Sequence, residues 1–119
     1  MMSMKASYPE GKTFTNEDTY IWKGGALGIG HGCVAFACML SDEAFGTLPA
    51  RVVRTFDDIR VGDIIRMNND THTVIVLKVE STGVVVAEGN YNSSVHWGRF
   101  IPYSDINATG TYLMTRYPQ

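Results

Sequence analysis

Cys33 lies where a glycine-rich run, Gly24–Gly32, gives way to an amphipathic helical pattern that extends from Cys33 to roughly Phe45. The thiolate is the nucleophilic form of cysteine. A helix N-terminus lowers the pKa of a thiol through its unpaired backbone N–H groups and the positive end of its dipole. The glycines allow a sharp turn and leave space above the sulfur for a substrate. The position of Cys33 therefore predicts a nucleophilic thiol.

A thiol nucleophile needs a base, usually histidine, and a group that orients this base. His72 follows a turn at residues 68–71 and opens the most apolar strand pattern of the chain, residues 73–77. The first residue of a strand lies on the rim of a sheet, where one edge of the ring can reach an active site. We expect His31, in a loop, and His96, at a strand position that usually faces solvent, to be bystanders.

The orienting group is predicted in the strand-like segment 83–90, where a period of two puts Glu88 and Asn90 on one face. If this segment pairs antiparallel with the His72 strand, residues whose numbers add to about 162 face each other. This register puts His72 opposite Asn90 and Val74 opposite Glu88. Either polar side chain could then reach the imidazole, so the identity of the orienting group stays open.

The elements that must hold these residues are one helix and a sheet that follows it. Apolar residues at helical spacing predict a stripe that faces the core, and Gly46 is predicted to end the helix. Short strand patterns with turn-forming residues between them predict an antiparallel meander of about five strands, and hence an α+β domain. The stripe is Cys33, Phe36, Ala37, Leu40 and Ala44. The predicted strands are Ile64–Met67, His72–Val79, Gly83–Asn90, Val95–Ile101 and Thr111–Arg116.

Length and composition are typical of a single globular domain of 119 residues, with a formal net charge of −2 and a pI near 5.8. This charge argues against a nucleic-acid partner, because no face gathers enough Lys or Arg. No apolar run approaches the length of a membrane span, and the N-terminus lacks the core of a signal peptide. Residues 1–12 are interpreted as an arm or linker remnant and residues 13–119 as the domain, either cytoplasmic or a module of a larger secreted protein.

Cys33 and Cys38 are five residues apart on one predicted helix, which turns their side chains away from each other and argues against a disulfide. Cys38 lacks a position at a helix start and is interpreted as structural. The three histidines are far apart and no Cys-x-x-Cys pair is present, so we expect no metal site and no cofactor.

Four segments, taken in order, resemble the signatures of two sister families of cell-wall hydrolases. Tyr20–Gly25 and Gly30–Phe36 resemble the Tyr-x-Trp-Gly-Gly and Asp-Cys-Ser-Gly-Phe motifs of NlpC-type peptidases. Gly62–Ile64 followed by His72–Val76 resembles their Gly-Asp-Leu and His-Val-Gly-Ile pair. Glu88–Tyr91 is similar to the Glu-x-Asn motif of CHAP amidases (cysteine, histidine-dependent amidohydrolases/peptidases).

The chain departs from the NlpC pattern beside the cysteine and before the glycine pair. Gly32 and Val34 replace the Asp and Ser that flank the family cysteine, and Lys23 is inserted before the glycines. The resemblance extends over about residues 20–101, most of the chain.

The resemblance implies a papain-like α+β fold and hydrolysis of amide bonds in bacterial peptidoglycan through an acyl-enzyme. Cys33 would be the nucleophile, His72 the base and later the acid, Glu88 the orienting group and Asn90 a fourth polar member. It further implies a peptidoglycan or peptide substrate, no cofactor, and an extracellular or cell-wall module, which we expect to be monomeric.

Three aromatic residues are candidates for substrate or oxyanion contacts. Tyr20 matches a family tyrosine whose hydroxyl lies near the nucleophile, although the same pattern suits a core aromatic. Trp22 and Trp97 could line a groove for sugar or peptide, or else belong to the core.

Two other functions use the same residues. A catalytically silent module of this fold would bind cell-wall peptide or a protein partner. An acyltransferase would pass the acyl group from Cys33 to an amine instead of water.

Overall fold

The protein has an α+β architecture in which one main helix packs against a six-stranded sheet, accompanied by a two-stranded hairpin. The computed structural model describes residues 2–23, 29–53, 59–67, 72–106 and 111–117. The expected glycine-rich turn at residues 24–28 and the turn at 68–71 lie outside the described residues. In chain order the elements are a 3₁₀ turn (Met2–Ala6), β1 (Thr19–Ile21), β2 (Ile29–His31), α1 (Cys33–Phe45), β3 (Arg51–Val53), β4 (Ile64–Met67), β5 (His72–Val79), β6 (Gly83–Tyr91), β7 (Ser94–Pro102), α2 (Tyr103–Ile106) and β8 (Tyr112–Thr115).

The strand order of the main sheet is β3-β8-β4-β5-β6-β7, and every pairing is antiparallel. β4 to β7 form the predicted meander. β8 departs from it, because the chain returns across the sheet and pairs with the outer edge of β4. The sheet has six described strands instead of about five, since β3 adds an edge, and β1 pairs with β2 where a loop was expected. Three-residue strands such as β1, β2 and β3 are too short for a period of two to be recognised.

The predicted register between β5 and β6 is confirmed where the two strands pair regularly. Ile75 lies opposite Ala87 and Val76 lies opposite Val86, so the paired numbers add to the expected 162. The register shifts by one between Val76 and Lys78, toward the turn that joins the strands. The described pairing begins at Ile75, so the predicted positions of His72 opposite Asn90 and of Val74 opposite Glu88 lie beyond it and stay predictions.

Helix α1 begins at Cys33 and ends at Phe45, as predicted, and Gly46 follows it with a φ of 61°. The prediction for Ala44 is wrong: its side chain is exposed. The helix is buried by more than the main sheet, because β1 and β2 also pack against it. The buried residues of the helix are Ala35, Phe36, Ala37, Cys38, Leu40, Ser41 and Asp42.

The two faces of the sheet carry separate clusters of buried apolar side chains. Ile75 and Ala87 face α1, where they pack in one core with Phe36. Their strand neighbours Val74 and Val86 pack in a second core on the opposite face. The alternation of side chains along β5 and β6 thus assigns each residue to one face.

The N-terminal segment, interpreted from the sequence as an arm or linker remnant, packs on the domain. The ring of Tyr8 lies edge-on to Phe14 and Phe36, with centroids 6.1 Å away in both cases. The N–H of Gly11 donates to the carbonyl of Val95 at 2.8 Å, and the N–H of Val95 donates to Lys12 at 2.8 Å. Aromatic packing and hydrogen bonds to β7 together hold this segment.

Candidate active site

Cys33 is the first residue of α1 and is half-buried. Gly32, with a φ of 59°, turns the chain into the helix, and its N–H donates to the carbonyl of Asp18 at 2.9 Å. A side chain at Gly32 would be strained by this φ and would lie 2.9 Å from Nδ2 of Asn90. The glycine therefore permits both the turn and the close approach of the polar residues beside it.

The side chains of Cys33 and His72 lie close enough together for each to shift the pKa of the other. His72 is the first residue of β5, and 19% of its side chain is exposed. Because Nε2 of His72 bonds Glu88, Nδ1 is the ring nitrogen left for the thiol. The structure thus brings together the predicted helix N-terminus and the predicted strand start.

The electrostatics of this pair favour a thiolate beside an imidazolium. Burial raises the pKa of the Cys33 thiol, but the hydrogen bonding and charge of His72, together with the nearby backbone N–H and side chain of Thr73, outweigh burial and leave the pKa below its ordinary value. Burial lowers the pKa of His72, but its hydrogen bonds to Cys33 and Glu88 raise it overall to about 9. Each partner therefore stabilises the charged form of the other.

Glu88 has a fully buried side chain, and its Oε1 lies 2.7 Å from Nε2 of His72. Burial raises the pKa of this carboxyl, but hydrogen bonds from Arg99 and His72 outweigh burial and hold the pKa below its usual range. A carboxylate at Nε2 fixes the ring orientation and stabilises the imidazolium. Of the two candidates for the orienting group, Glu88 forms the contact.

Arg99 is a member of the site that the sequence analysis missed. Its Nε donates to Oε2 of Glu88 at 2.6 Å and its Nη2 donates to Oε1 at 2.7 Å. These two hydrogen bonds from one guanidinium compensate the negative charge of the buried carboxylate. The guanidinium also lies 4.6 Å from the ring centroid of Tyr91, which in turn lies 5.7 Å from the ring of His72. The sequence offered one signal for this contact, because Arg99 follows Glu88 across a tight turn on the next strand. The register of β6 and β7 shifts between these strands, so the sequence alone does not show that the two residues meet.

The side chain of Asn90 is hydrogen-bonded to Asn16 and not to the imidazole of His72. Its φ of 55° ends the regular alternation of β6, and its Nδ2 donates to Oδ1 of Asn16 at 2.9 Å. Asn92 and Ser93 also have a positive φ, so three non-glycine residues in this turn adopt a conformation that costs energy. The structure places Asn90 and Asn16 beside Gly32, next to the nucleophile position rather than behind the base.

Tyr20 is not near the thiol, which corrects the expectation from the family tyrosine. Its hydroxyl donates to Oδ2 of Asp42 at 2.7 Å. Asp42 lies nine residues after Cys33 on α1, about 13 Å along the helix axis. Burial and the hydrogen bond to Asp42 raise the pKa of Tyr20 to about 12.

The two tryptophans also take core positions instead of lining a groove. Trp22 is 3% exposed and packs among the residues between α1 and the sheet. Trp97 is partly buried, lies edge-on to Phe36 with centroids 5.8 Å apart, and donates its indole N–H to the carbonyl of Tyr8. Both residues hold the packing around the helix.

The two other histidines do not contact the thiol. His31 is exposed on β2. His96, expected on a solvent-facing position, is partly buried and its Nδ1 lies 2.6 Å from the carboxylate of Glu10, which ties the N-terminal segment to β7. Cys38 is buried, and burial together with the charge of Asp42 raises its pKa to about 12, which agrees with a structural role.

Within the described residues, no three His, Cys, Asp or Glu side chains converge as a metal site would require. None of the described helices combines the length and the apolar character needed to cross a bilayer.

Comparisons of the chain with protein-family models, with curated proteins and with solved structures give no match.

Proposed function

We propose that this protein is a cysteine-dependent hydrolase of amide bonds, with bacterial peptidoglycan as its substrate. The observation that carries the proposal is the continuous chain of contacts from Cys33 through His72 to the buried carboxylate of Glu88. These three groups supply a nucleophile, a base and an orienting group, which is what acyl transfer through a thiol requires.

The first step forms a thioester. In the ion pair His72 already holds the thiol proton, and the thiolate of Cys33 attacks the carbonyl carbon of the amide. The tetrahedral intermediate then collapses: the carbon–nitrogen bond breaks, and the imidazolium gives its proton to the departing amine. A pKa of about 9 keeps His72 protonated at neutral pH, which suits this second role.

The second step releases the product. His72 takes a proton from water, the resulting hydroxide attacks the thioester carbon, and the carbon–sulfur bond breaks to regenerate the thiolate. The backbone N–H of Cys33, at the unpaired start of α1, is positioned to stabilise the oxyanion in both steps, and such a donor typically contributes ~3 kcal/mol.

We also propose that the fold is papain-like. Support comes from the placement of the thiol at the start of the main helix, the packing of this helix on an antiparallel sheet, and the position of the histidine at the first residue of a strand. The peptidoglycan substrate is proposed from the resemblance of the motifs around Cys33, His72 and Glu88 to those of cell-wall amidases.

The test is digestion of purified peptidoglycan with mass analysis of the soluble fragments. Wild type and Cys38→Ala should release the same fragments, whereas Cys33→Ala should release none. Cys38 is the matched control because it is the other cysteine of α1 and lies in the core. The fragment masses identify the bond that is cut.

The same experiment separates the other functions. A module that only binds cell-wall peptide would sediment with peptidoglycan and release no fragments from any variant. An acyltransferase would yield products that carry an added amine nucleophile in place of water. Either outcome would overturn the hydrolase proposal.

A further inference from the structure

Thr73 lies directly after His72 on β5, and 1% of it is exposed. Its side chain is on the same face of the strand as Ile75, which packs against α1, because residues two apart on a strand share a face. This places the hydroxyl of Thr73 between the sheet and the start of the helix that carries Cys33.

The hydroxyl of Thr73 makes no well-formed hydrogen bond with any described residue. A buried hydroxyl without a partner is costly, so most such groups in native proteins have an acceptor or a function. The acceptor at hand is the sulfur of Cys33, because the backbone N–H and the side chain of Thr73 both lie close enough to it to lower the pKa of the thiol. A neutral thiol is a weak acceptor, whereas a thiolate is a strong one.

We propose that Thr73 is a catalytic residue whose hydroxyl donates a hydrogen bond to the Cys33 thiolate. The bond forms when the thiol proton moves to His72, weakens when the sulfur becomes a neutral thioester, and forms again when the thiolate leaves during hydrolysis. No covalent bond of Thr73 changes in any step. This inference deepens the proposed function and rests on it for the catalytic role, but the contact with the thiolate can be measured without any substrate.

The ionisable groups around the thiol come from several elements. His72 on β5 contacts the sulfur directly. Glu88 on β6 and Arg99 on β7 act through His72, and His31 is exposed on β2 two residues before the cysteine. The first turn of α1 holds no acidic residue. A substitution at Thr73 removes none of these charges, so a change in the ionisation of the thiol would report the hydroxyl itself.

The test measures the rate of alkylation by iodoacetamide as a function of pH, in a Cys38→Ala background so that Cys33 is the labelled thiol. Thr73→Val keeps the shape of the side chain and removes the hydroxyl, while Thr73→Ser keeps the hydroxyl. We expect the midpoint pH for Thr73→Val to rise by about one pH unit, as the loss of a hydrogen bond to a charged group implies. The midpoint for Thr73→Ser should stay within a few tenths of the wild-type value.

A second readout distinguishes this role from a structural one. Once the thiol is fully ionised, a thiolate of higher pKa is intrinsically more nucleophilic, so Thr73→Val should label at least as fast as wild type at high pH. A variant that merely disturbed the site would label more slowly at every pH. Thermal unfolding at a pH below the alkylation midpoint, where the thiol is neutral, should show Thr73→Val to be no less stable than wild type, because it removes an unpaired buried hydroxyl.

A wild-type midpoint in Thr73→Val, or an equal rise in Thr73→Ser, would overturn the inference. If Thr73→Val does not fold, Thr73→Ala gives the same comparison. Failure of the proposed function is recognised separately: peptidoglycan would stay intact with wild type while the Thr73→Val midpoint still rises.

Discussion

Nε2 of His72 lies 2.7 Å from Oε1 of Glu88, a carboxylate with no exposed surface. The contact leaves the other ring nitrogen of His72 for Cys33 and places a buried negative charge behind the imidazole. Because Arg99 binds the same carboxylate from the opposite side, the charge is compensated without being neutralised by a proton. The site is therefore a row of four groups, in which the cationic groups of His72 and Arg99 both contact the buried carboxylate of Glu88.

We expect the rate of Cys33 alkylation and the rate of hydrolysis to depend on pH in different ways. The pKa of the thiol is lowered, so alkylation should rise at a lower pH than it does for an ordinary thiol, whose pKa is ~8.5. Hydrolysis should fall as the pH passes about 9, because His72 loses the proton that the leaving amine needs. His72→Ala should move the alkylation midpoint back toward the ordinary value. If the thiol of wild type labels no faster at pH 6–7 than the thiol of unfolded protein, the ion pair is absent.

Glu88 and not Asn90 should control the imidazole. We expect Glu88→Gln, which keeps the shape and removes the charge, to slow hydrolysis at least tenfold, within the ~10²–10⁴ that a positioned acid–base group contributes. Asn90→Gly removes the amide and relieves the positive φ, so it should leave the alkylation profile of Cys33 unchanged. Measured pH profiles that shift in Asn90→Gly and not in Glu88→Gln would reverse the assignment.

Arg99 should hold the site by compensating Glu88. Removal of one partner from a buried ion pair commonly costs ~3–5 kcal/mol, and we expect Arg99→Met to fall toward the lower end because Arg99 is one-third exposed and His72 still contacts the carboxylate. Arg99→Lys restores the charge without the two hydrogen bonds of the guanidinium and should recover part of the loss. Chemical denaturation of the three proteins measures these differences. Equal stability of Arg99→Met and wild type would show that the pair is not needed.

Acid should remove the stabilisation that Glu88 provides. Its folded pKa lies below its ordinary value of about 4.5, so the carboxylate stabilises the fold above pH 4.5 and loses this contribution as the pH falls through the folded pKa. Glu88→Gln has no such ionisation. The free energy of unfolding of wild type relative to Glu88→Gln should therefore decline below about pH 4.5, as measured by denaturation at a series of pH values. A constant difference across this range would contradict the lowered pKa.

Gly89 should be essential for the docking of α1 on the sheet. A Cβ at this position would lie 2.6 Å from Cβ of Phe36, and neither atom can move by a simple change of rotamer. We expect Gly89→Ala to reduce the free energy of unfolding by ~1–3 kcal/mol, the usual cost of overpacking, and to slow the alkylation of Cys33, because the same helix carries the thiol. Unchanged stability in Gly89→Ala would mean that the helix shifts freely.

Tyr20 should matter for stability and not for catalysis. Tyr20→Phe removes one of two donors to Oδ2 of Asp42 and leaves the N–H of Lys23, so we expect a loss toward the lower end of the ~1.5–3 kcal/mol that a hydrogen bond to a charged group contributes. Because the hydroxyl is about 13 Å along the helix from Cys33, the pH profile of alkylation should not change. A loss of peptidoglycan hydrolysis in folded Tyr20→Phe, at normal Cys33 reactivity, would restore a direct role for the hydroxyl.

Local patterns were enough to predict the start and end of α1, four strands of the meander and the alignment of β5 with β6. These features depend on residues close together in the chain: the glycine before Cys33, the periodicity of each strand, and a short turn whose length sets the register. These local features bring the site together. His72 and Glu88 lie on the two strands of one hairpin, and Cys33 is the first residue of the helix that packs on this hairpin.

Contacts between distant segments settled the remaining features. A positive φ turned Asn90 toward Asn16, and the shifted pairing of β6 with β7 brought Arg99 to Glu88. Packing against β1 and β2 buried more of α1 than the main sheet does, and Tyr20 joined Asp42 instead of reaching the thiol. These contacts depend on which surfaces meet when the whole chain folds, and the periodicity of residues along the chain does not predict them.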